Sequence, residues 1–268
     1  MKYAVISGVS GGMGMATAKE LINNGYYVFG LDIQTPKEGL DNFTFIQTDL
    51  RDLTAVNEAL LEVKEKTNEI DSIISMVGIN DINSLIEINE EDFINSFNTN
   101  VFSIYRLNKT FTPLLKEKGK IIIISSELAP LDPLPYIGLY SITKSTVEKY
   151  AYSLRMELQL LNKQVVVIRP GAVNTPMLEA SAKRIDEYSS ETELYKYNAS
   201  KFREVTNSVQ SKNIAPERIG KLVLKILKKK KPKYLYSVNR NFGLLVLNAL
   251  PKRLQNWIIK QILKERVK

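Results

Sequence analysis

The chain has 268 residues, enough for one α/β domain with a large core, and a formal net charge of +8 with no cysteine and no histidine. Without cysteine there is no disulfide, thiol nucleophile or Cys-based zinc site, and without histidine no mechanism can use imidazole. A glycine-rich turn begins by Gly8, too early for a signal peptide, and no apolar run reaches the ~18 residues of a membrane span, so a cytoplasmic enzyme or binding protein is expected.

In chain order, apolar strand-like runs alternate with helical stretches. Residues 3–7 read as a strand, 12–24 as a helix and 27–31 as a second strand. The third strand is 43–47, with a helix over 53–66. The fourth strand, 72–77, is followed by helices over 90–97 and 101–116. The fifth strand spans 120–125, a long helix 140–161, and the sixth strand 164–169. Helix 216–229 and strand 234–237 close the pattern. Near-continuous apolar strands between helices predict a doubly wound parallel sheet covered on both faces, a three-layer α/β/α domain over residues 1–238. Residues 179–213 are polar and too long for an ordinary connection between helix and strand, which predicts a lid insertion. Lys228, Lys229, Lys230, Lys231 and Lys233 suit a solvated helix end, where cations complement the macrodipole, better than a nucleic-acid patch.

The first turn, Ser7-Gly8-Val9-Ser10-Gly11-Gly12-Met13-Gly14, lies where a doubly wound sheet binds phosphate. Glycines let the backbone approach a pyrophosphate, and the following helix offers free N–H groups. The same residues match a Gly-x-Ser-x-Gly nucleophile elbow, but that mechanism needs a histidine base. Asp32 ends the second strand, where a carboxylate can accept hydrogen bonds from an adenosine ribose and repel a 2′-phosphate. No Arg or Lys occurs in the glycine turn, so NAD(H) is preferred, with NADP(H) as the alternative.

Tyr140 and Lys144 stand four apart on one helix face, and a neighbouring ammonium favours tyrosinate. Tyr105/Lys109 and Tyr197/Lys201 repeat the spacing, so context must choose among the pairs. Only Tyr140 and Lys144 follow a strand ending in hydroxyls, Ser125 and Ser126, across a loop holding Pro130, Pro133 and Pro135. A strand end and a nearby helix start can bring Ser126 and Tyr140 to one carbonyl. Ser141-x-x-Lys144 also mimics the Ser-x-x-Lys of penicillin-recognising enzymes, but none of their other motifs accompanies it.

With these residues in place, the chain resembles the short-chain dehydrogenase/reductase family over about residues 3–233. Ser7-Gly8-x-x-x-Gly12-Met13-Gly14 is similar to the family's cofactor turn. Asp49-Leu50-Arg51-Asp52 is similar to the turn after strand three, whose first carboxylate meets the adenine. Asn100, Ser126, Tyr140 and Lys144 match the catalytic tetrad, and Pro170-Gly171-Ala172-Val173-Asn174-Thr175 the motif after strand six, whose threonine holds the nicotinamide carboxamide. The resemblance implies a Rossmann-like fold and a cofactor site built from Gly8, Ser10, Gly11, Gly12, Met13, Gly14, Asp32, Asp49, Leu50, Val77, Gly78, Asn100, Tyr140, Lys144, Pro170, Gly171, Val173 and Thr175. In it Tyr140 would exchange a proton with the substrate oxygen, Lys144 would lower the phenol's pKa and bind the ribose, Ser126 would donate to the oxygen, and Asn100 would support a water relay; no metal is needed. One motif departs. The family's Asn-Asn-Ala-Gly after strand four reads Ser75-Met76-Val77-Gly78 here, so side-chain hydrogen bonds there must be replaced or lost. Tyr197-x-x-Ser-Lys201 copies the family's local pattern more closely than Tyr140 does, but it falls inside the lid.

Leu128, Leu134, Pro135, Tyr136, Val173 and Leu178 border the expected substrate pocket, which points to an apolar secondary alcohol or ketone. The alternative is a dinucleotide-binding regulator without turnover. The resemblance further implies that the helices 101–116 and 140–161 pair with a second subunit in a homodimer or homotetramer, with Tyr150, Ala151, Leu154 and Leu158 as contacts on the latter helix. The tail, residues 239–268, reads as an amphipathic helical extension. Packing on its own domain or a partner subunit is the expectation, ahead of peripheral contact with an anionic membrane; a nucleic-acid partner is not expected.

Overall fold

Seven strands pair in parallel in the order β3-β2-β1-β4-β5-β6-β7. They are β1 (Lys2–Ser7), β2 (Tyr26–Asp32), β3 (Phe43–Gln47), β4 (Ile70–Ser75), β5 (Leu115–Ile124), β6 (Gln164–Pro170) and β7 (Leu235–Val238). The computed structural model describes residues 1–208 and 213–265; residues 209–212 of the expected lid, and Arg266 and Lys268 of the tail, lie outside the described residues. The order reverses between β1 and β4, so chains leaving these two strands part to opposite sides. A crevice opens there at the carboxyl edge of the sheet, the position at which such folds bind ligands.

Both sheet faces are buried because side chains alternate along each strand. Val5, Phe29, Leu31, Ile73 and Ile121 pack on one side under α2 (Leu53–Lys66), α4 (Ser103–Phe111) and α5 (Gly138–Leu158). Ala4, Ile6, Val28, Ile74 and Ile122 pack on the other under α1 (Gly12–Ile22) and α8 (Glu217–Lys228). Each such fully buried aliphatic side chain contributes about 1.5–3 kcal/mol relative to exposure.

Three expectations change in the structure. The helix expected over 101–116 stops at Phe111, because Pro113 opens a short 3-10 turn and the chain is already extended at Leu115. β5 therefore starts five residues early, and its register shifts between the pairs Ile70–Leu115 and Ser72–Lys120. Second, α3 (Glu90–Phe97) continues through one π turn, Asn98–Phe102, directly into α4. Third, the polar stretch expected as a lid is two packed helices, α6 (Pro176–Glu191) and α7 (Lys196–Ser208).

These lid helices bury a stripe of their own. Tyr188, Ala199 and Phe202 close with Ile82, Tyr136 and Leu263 into a third cluster, in which the Tyr136 ring lies 5.1 Å from Tyr188 and 5.4 Å from Phe202. Glu87 pins the turn between the two helices. It accepts from the Tyr188 hydroxyl, Thr192 Oγ1 and the Glu193 and Leu194 amides at 2.7–3.1 Å. Burial alone would raise its pKa, but these donors outweigh that and hold it below the usual carboxylate range. Leu263 belongs to the tail, whose helices are α9 (Phe242–Ala249) and α10 (Lys252–Leu263), and Asn198 Nδ2 donates to its carbonyl at 2.7 Å. Thus α10 packs against α7 of the same chain.

Candidate active site

The glycine turn joins β1 to α1 at the sheet's carboxyl edge. Gly8 has φ +69°, and a Cβ there would meet the Met76 carbonyl carbon and the Val77 nitrogen at 2.9 Å. At Gly14 a Cβ would lie 2.1 Å from the Gly8 oxygen, so α1 approaches the turn more closely than any side chain permits. Gly11 caps α1 without a side-chain hydrogen bond and no acid occupies the first turn. The Gly12, Met13 and Gly14 amides have no intrahelical acceptor and remain available to an anion. Thr175 closes the turn from the other side, its methyl 2.8 Å from where a Gly12 Cβ would stand. These features fit the pyrophosphate of a dinucleotide.

Asp32 sits at the end of β2, its Oδ2 accepting from Ser10 N at 3.0 Å and its Oδ1 from Gln34 N at 3.1 Å. The Ser10 hydroxyl in turn donates to the Gln34 carbonyl. The carboxylate is thus held at the turn by backbone donors. Asp49 is engaged differently. Arg51 forks onto it, with Nη2–Oδ2 at 2.8 Å, and that contact holds its carboxyl below the usual range. Arg51 also reaches Asn95 at 3.1 Å, while Leu50 is buried in the core.

The expected tetrad converges. β5 ends at Ile124 and is followed directly by Ser125 and Ser126, both buried. The Ser125 hydroxyl donates to Glu148 Oε1 at 2.8 Å, and Arg169 Nε donates to the same oxygen at 2.6 Å. This network fastens β5, α5 and β6 to one another beside the site. Tyr140 and Lys144 rise from the first turns of α5, with the Lys144 ammonium 5.7 Å from the Tyr140 ring centre and 3.4 Å from the Ile124 carbonyl oxygen. Asn100 lies in the π turn, a deformation often found at functional sites. Its Nδ2 donates to the Ile79 carbonyl at 3.0 Å and to Thr143 Oγ1 at 3.1 Å, and its Oδ1 accepts from Ile79 N at 2.8 Å. Gly78 leaves room for both partners: a Cβ there would stand 3.2 Å from Asn100 Oδ1 and 3.2 Å from Lys144 Nζ.

The electrostatics correct one expectation. Burial pushes the Tyr140 phenol up; the Ser126 hydroxyl opposes this and the Glu127 carboxylate adds to it. Burial also brings Lys144 down to about 8. Desolvation therefore outweighs the depression of the phenol expected from Lys144, and burial drives the two proton affinities apart, the phenol up and the ammonium down.

Glu127 was not legible as a site residue. One of its oxygens accepts from Asn241 N at 2.6 Å, and the other would lie 2.8 Å from a Gly171 Cβ. Burial raises its pKa, against the Asn241 amide and Arg240. Its position next to Ser126, as an acid in a loop of apolar and proline residues, was the available signal.

Of the expected pocket residues, Leu128 and Leu134 border a crevice between the loop after Ser126 and the inner faces of α9 and α10. Tyr136 is buried beneath α6 and α7, and Val173, buried, and Leu178, half-buried, lie where β6 leads into α6. The other tyrosine–lysine pairs stand apart. Tyr197 is 40% exposed on α7 and Lys201 Nζ bonds Glu204 at 2.6 Å; Tyr105 packs edge-on to Tyr150. In the departing motif the Ser75 hydroxyl is buried with no hydrogen-bond partner among the described residues, while Met76 N donates to the Ser7 carbonyl at 3.2 Å.

A doubly wound sheet with this glycine turn and a Ser–Tyr–Lys cluster at its carboxyl edge defines a nicotinamide-dependent hydride-transfer oxidoreductase. The family model for short chain dehydrogenase matches residues 2–186, and the chain belongs to that family. It is 26% identical over 232 residues to 3-ketodihydrosphingosine reductase of Bacteroides thetaiotaomicron, covering 86% of this chain and 85% of the relative. It is 31% identical over 189 residues to NADPH-dependent 3-dehydrocapnine reductase of Ornithobacterium rhinotracheale, covering 65% and 66%. A crystal structure of a short chain dehydrogenase family protein from Francisella tularensis superposes with TM-score 0.73 at 24% identity, covering 89% of this chain and 97% of that one, which shows the fold.

Proposed function

We propose that the chain interconverts a ketone and a secondary alcohol using NAD(H), with Tyr140 as the proton donor and acceptor. The observation that carries this reading is the convergence of Ser126, Tyr140 and Lys144 where β5 meets α5. In reduction, a bound nicotinamide would supply the hydride for the carbonyl carbon. The Ser126 hydroxyl donates to the carbonyl oxygen as charge builds there, and the buried Tyr140 phenol delivers its proton to that oxygen. Lys144 would bind the cofactor ribose and replenish the phenol's proton, while Asn100 holds the Ile79 and Thr143 backing of this path in place. Gly8, Gly11, Gly12, Met13 and Gly14 would cradle the pyrophosphate; Asp49, Leu50 and Val77 would hold the adenosine side; Pro170, Gly171, Val173 and Thr175 would hold the nicotinamide side.

Asp32 favours NAD(H), since its fixed carboxylate would face a 2′-phosphate with no cation in the glycine turn, although one relative is named as NADPH-dependent. Leu128, Tyr136 and Leu178 are the proposed pocket residues. Two relatives are named as reductases of 3-keto or 3-dehydro compounds, which favours a ketone carried on a long apolar chain. Self-association through α4 and α5 belongs to the same reading, with different contacts from those expected. Ala151 and Leu158 point into the core, whereas Phe102, Tyr105, Tyr152 and Met156 are exposed. The test follows nicotinamide absorbance with purified protein and a panel of 3-ketones of increasing chain length. Turnover with NADH that rises with chain length is expected; cofactor binding without turnover of any ketone or alcohol would favour the regulator instead.

A further inference from the structure

We infer that the outward face of α9 and α10 is a docking surface for an anionic lipid bilayer, set beside the active-site mouth. The inner faces of these helices are accounted for. Leu244, Leu247 and Asn248 of α9 and Gln255 of α10 line the crevice against the loop after Ser126. Asn248 Oδ1 accepts from Asp132 N at 2.7 Å, Lys252 pairs with Asp132, and Leu263 completes the lid cluster.

Among the described residues, the opposite faces have no such cover. Six of the eight residues of α9 are apolar, yet none is buried. Phe242 and Val246, four apart, are 77% and 47% exposed. On α10 the solvent stripe runs Arg253, Trp257, Lys260 and Lys264 at helical spacing, with Trp257 59% and Leu254 42% exposed. Residues 239–268 carry seven Lys and Arg against one Glu.

A tryptophan flanked by cations on one stripe suits a bilayer interface, where the ring sits at headgroup depth and long cationic stems reach out to anionic lipid. A second copy of the chain fits less well, because subunit interfaces are depleted in lysine at their centres. The lysine run before β7 is not part of this surface. It precedes Leu235, whereas the other end of β7, Val238, pairs with Pro170 beside the site and leads into the tail. Asn241, which caps α9, donates its amide to Glu127 next to Ser126, so a docked bilayer would meet the molecule at the cleft. The docking stands independently of the proposed reaction; that it delivers a lipid ketone rests on that reading.

The experiment uses the full chain with vesicles of phosphatidylcholine, alone or mixed with phosphatidylglycerol. Trp257 is the single tryptophan, so its emission reports the surface directly. Co-flotation with the mixed vesicles at low salt, weakening as salt rises, and a blue shift of Trp257 are expected. Each basic side chain near an anionic leaflet strengthens partition roughly fivefold, so Lys260→Glu with Lys264→Glu should weaken it by about 25-fold or more. That variant should keep wild-type turnover of a short soluble ketone, which shows it folded and separates this test from that of the reaction. An absence of flotation, an unshifted emission, or a Phe242→Ser/Trp257→Ser variant that loses an oligomer instead of vesicle binding would overturn the inference.

Discussion

Replacing Gly78 by alanine tests the site's geometry with a single methyl. The added Cβ would lie 3.2 Å from Asn100 Oδ1 and 3.2 Å from Lys144 Nζ, whereas ordinary contact begins near 3.4 Å. One or both atoms must retreat by a few tenths of an ångström. Asn100 is fixed by three hydrogen bonds, to Ile79 N, the Ile79 carbonyl and Thr143. Lys144 has a flexible four-carbon stem and a single 3.4 Å contact to the Ile124 carbonyl, so it is the group that yields. A displacement of ~1 Å at reacting groups costs roughly 10²-fold in rate, and a fraction of that displacement about tenfold or less. The expected result is a drop in kcat of about tenfold with a rise in KM for NADH, in protein whose circular dichroism is unchanged. Steady-state kinetics at saturating ketone measures both. Wild-type kcat and KM in folded Gly78→Ala protein would refute the idea that Gly78 makes room for the lysine.

Tyr140→Phe should lose ~10²–10⁴-fold in turnover, the usual contribution of a general acid, whereas Tyr197→Phe should leave kcat unchanged; the reverse pattern in paired kinetics would assign the chemistry to the wrong tyrosine. Asp32→Ala should narrow the preference for NADH over NADPH, and tighter NADPH than NADH binding by the unaltered protein would remove the basis of that assignment. Glu127→Gln can keep the Asn241 N–H bond through its amide oxygen while deleting a charge that raises the Tyr140 pKa. Alcohol oxidation needs the phenolate, so the acid limb of its pH profile should move to lower pH; an unmoved limb would show that the charge does not reach the phenol. Ser75→Ala should stabilise the protein by about 1 kcal/mol in urea unfolding, because a buried unpaired hydroxyl costs ~1–3 kcal/mol, and a loss of stability would reveal a partner for it.

The parts legible in the sequence are those in which a local pattern and a long-range requirement coincide. A strand ending in Ser125-Ser126 and a helix opening near Tyr140 each had a clear period, and a parallel sheet brings their ends together. The glycine turn was legible because Gly8 and Gly14 answer to backbone contacts of 3 Å or less. The lid helices were not. Each buries only a narrow stripe, Tyr188 on one and Ala199 with Phe202 on the other, under otherwise polar sequence. Pro176 at the first turn of α6 was a helix-start signal, masked by its place in the Pro-Gly motif. The early start of β5 was hidden because Leu115 and Lys116 continue a helical pattern that only Pro113 interrupts.

Strand four shows how the fold absorbs its departure from the family's pattern. Where side-chain amides are expected, Met76 joins the core against Thr17, whose hydroxyl lies 3.7 Å from its sulfur. The backbone takes over the holding role, since Met76 N donates to both the carbonyl and the hydroxyl of Ser7, at 3.2 and 3.3 Å. Backbone bonds of this kind fix where the strand ends but cannot contribute polar groups to the crevice. The residue that must still be right is Gly78, because Asn100 and Lys144 approach it from opposite elements. What is lost at strand four is therefore a set of side-chain ties within the sheet, while the space that admits Lys144 to the site is kept.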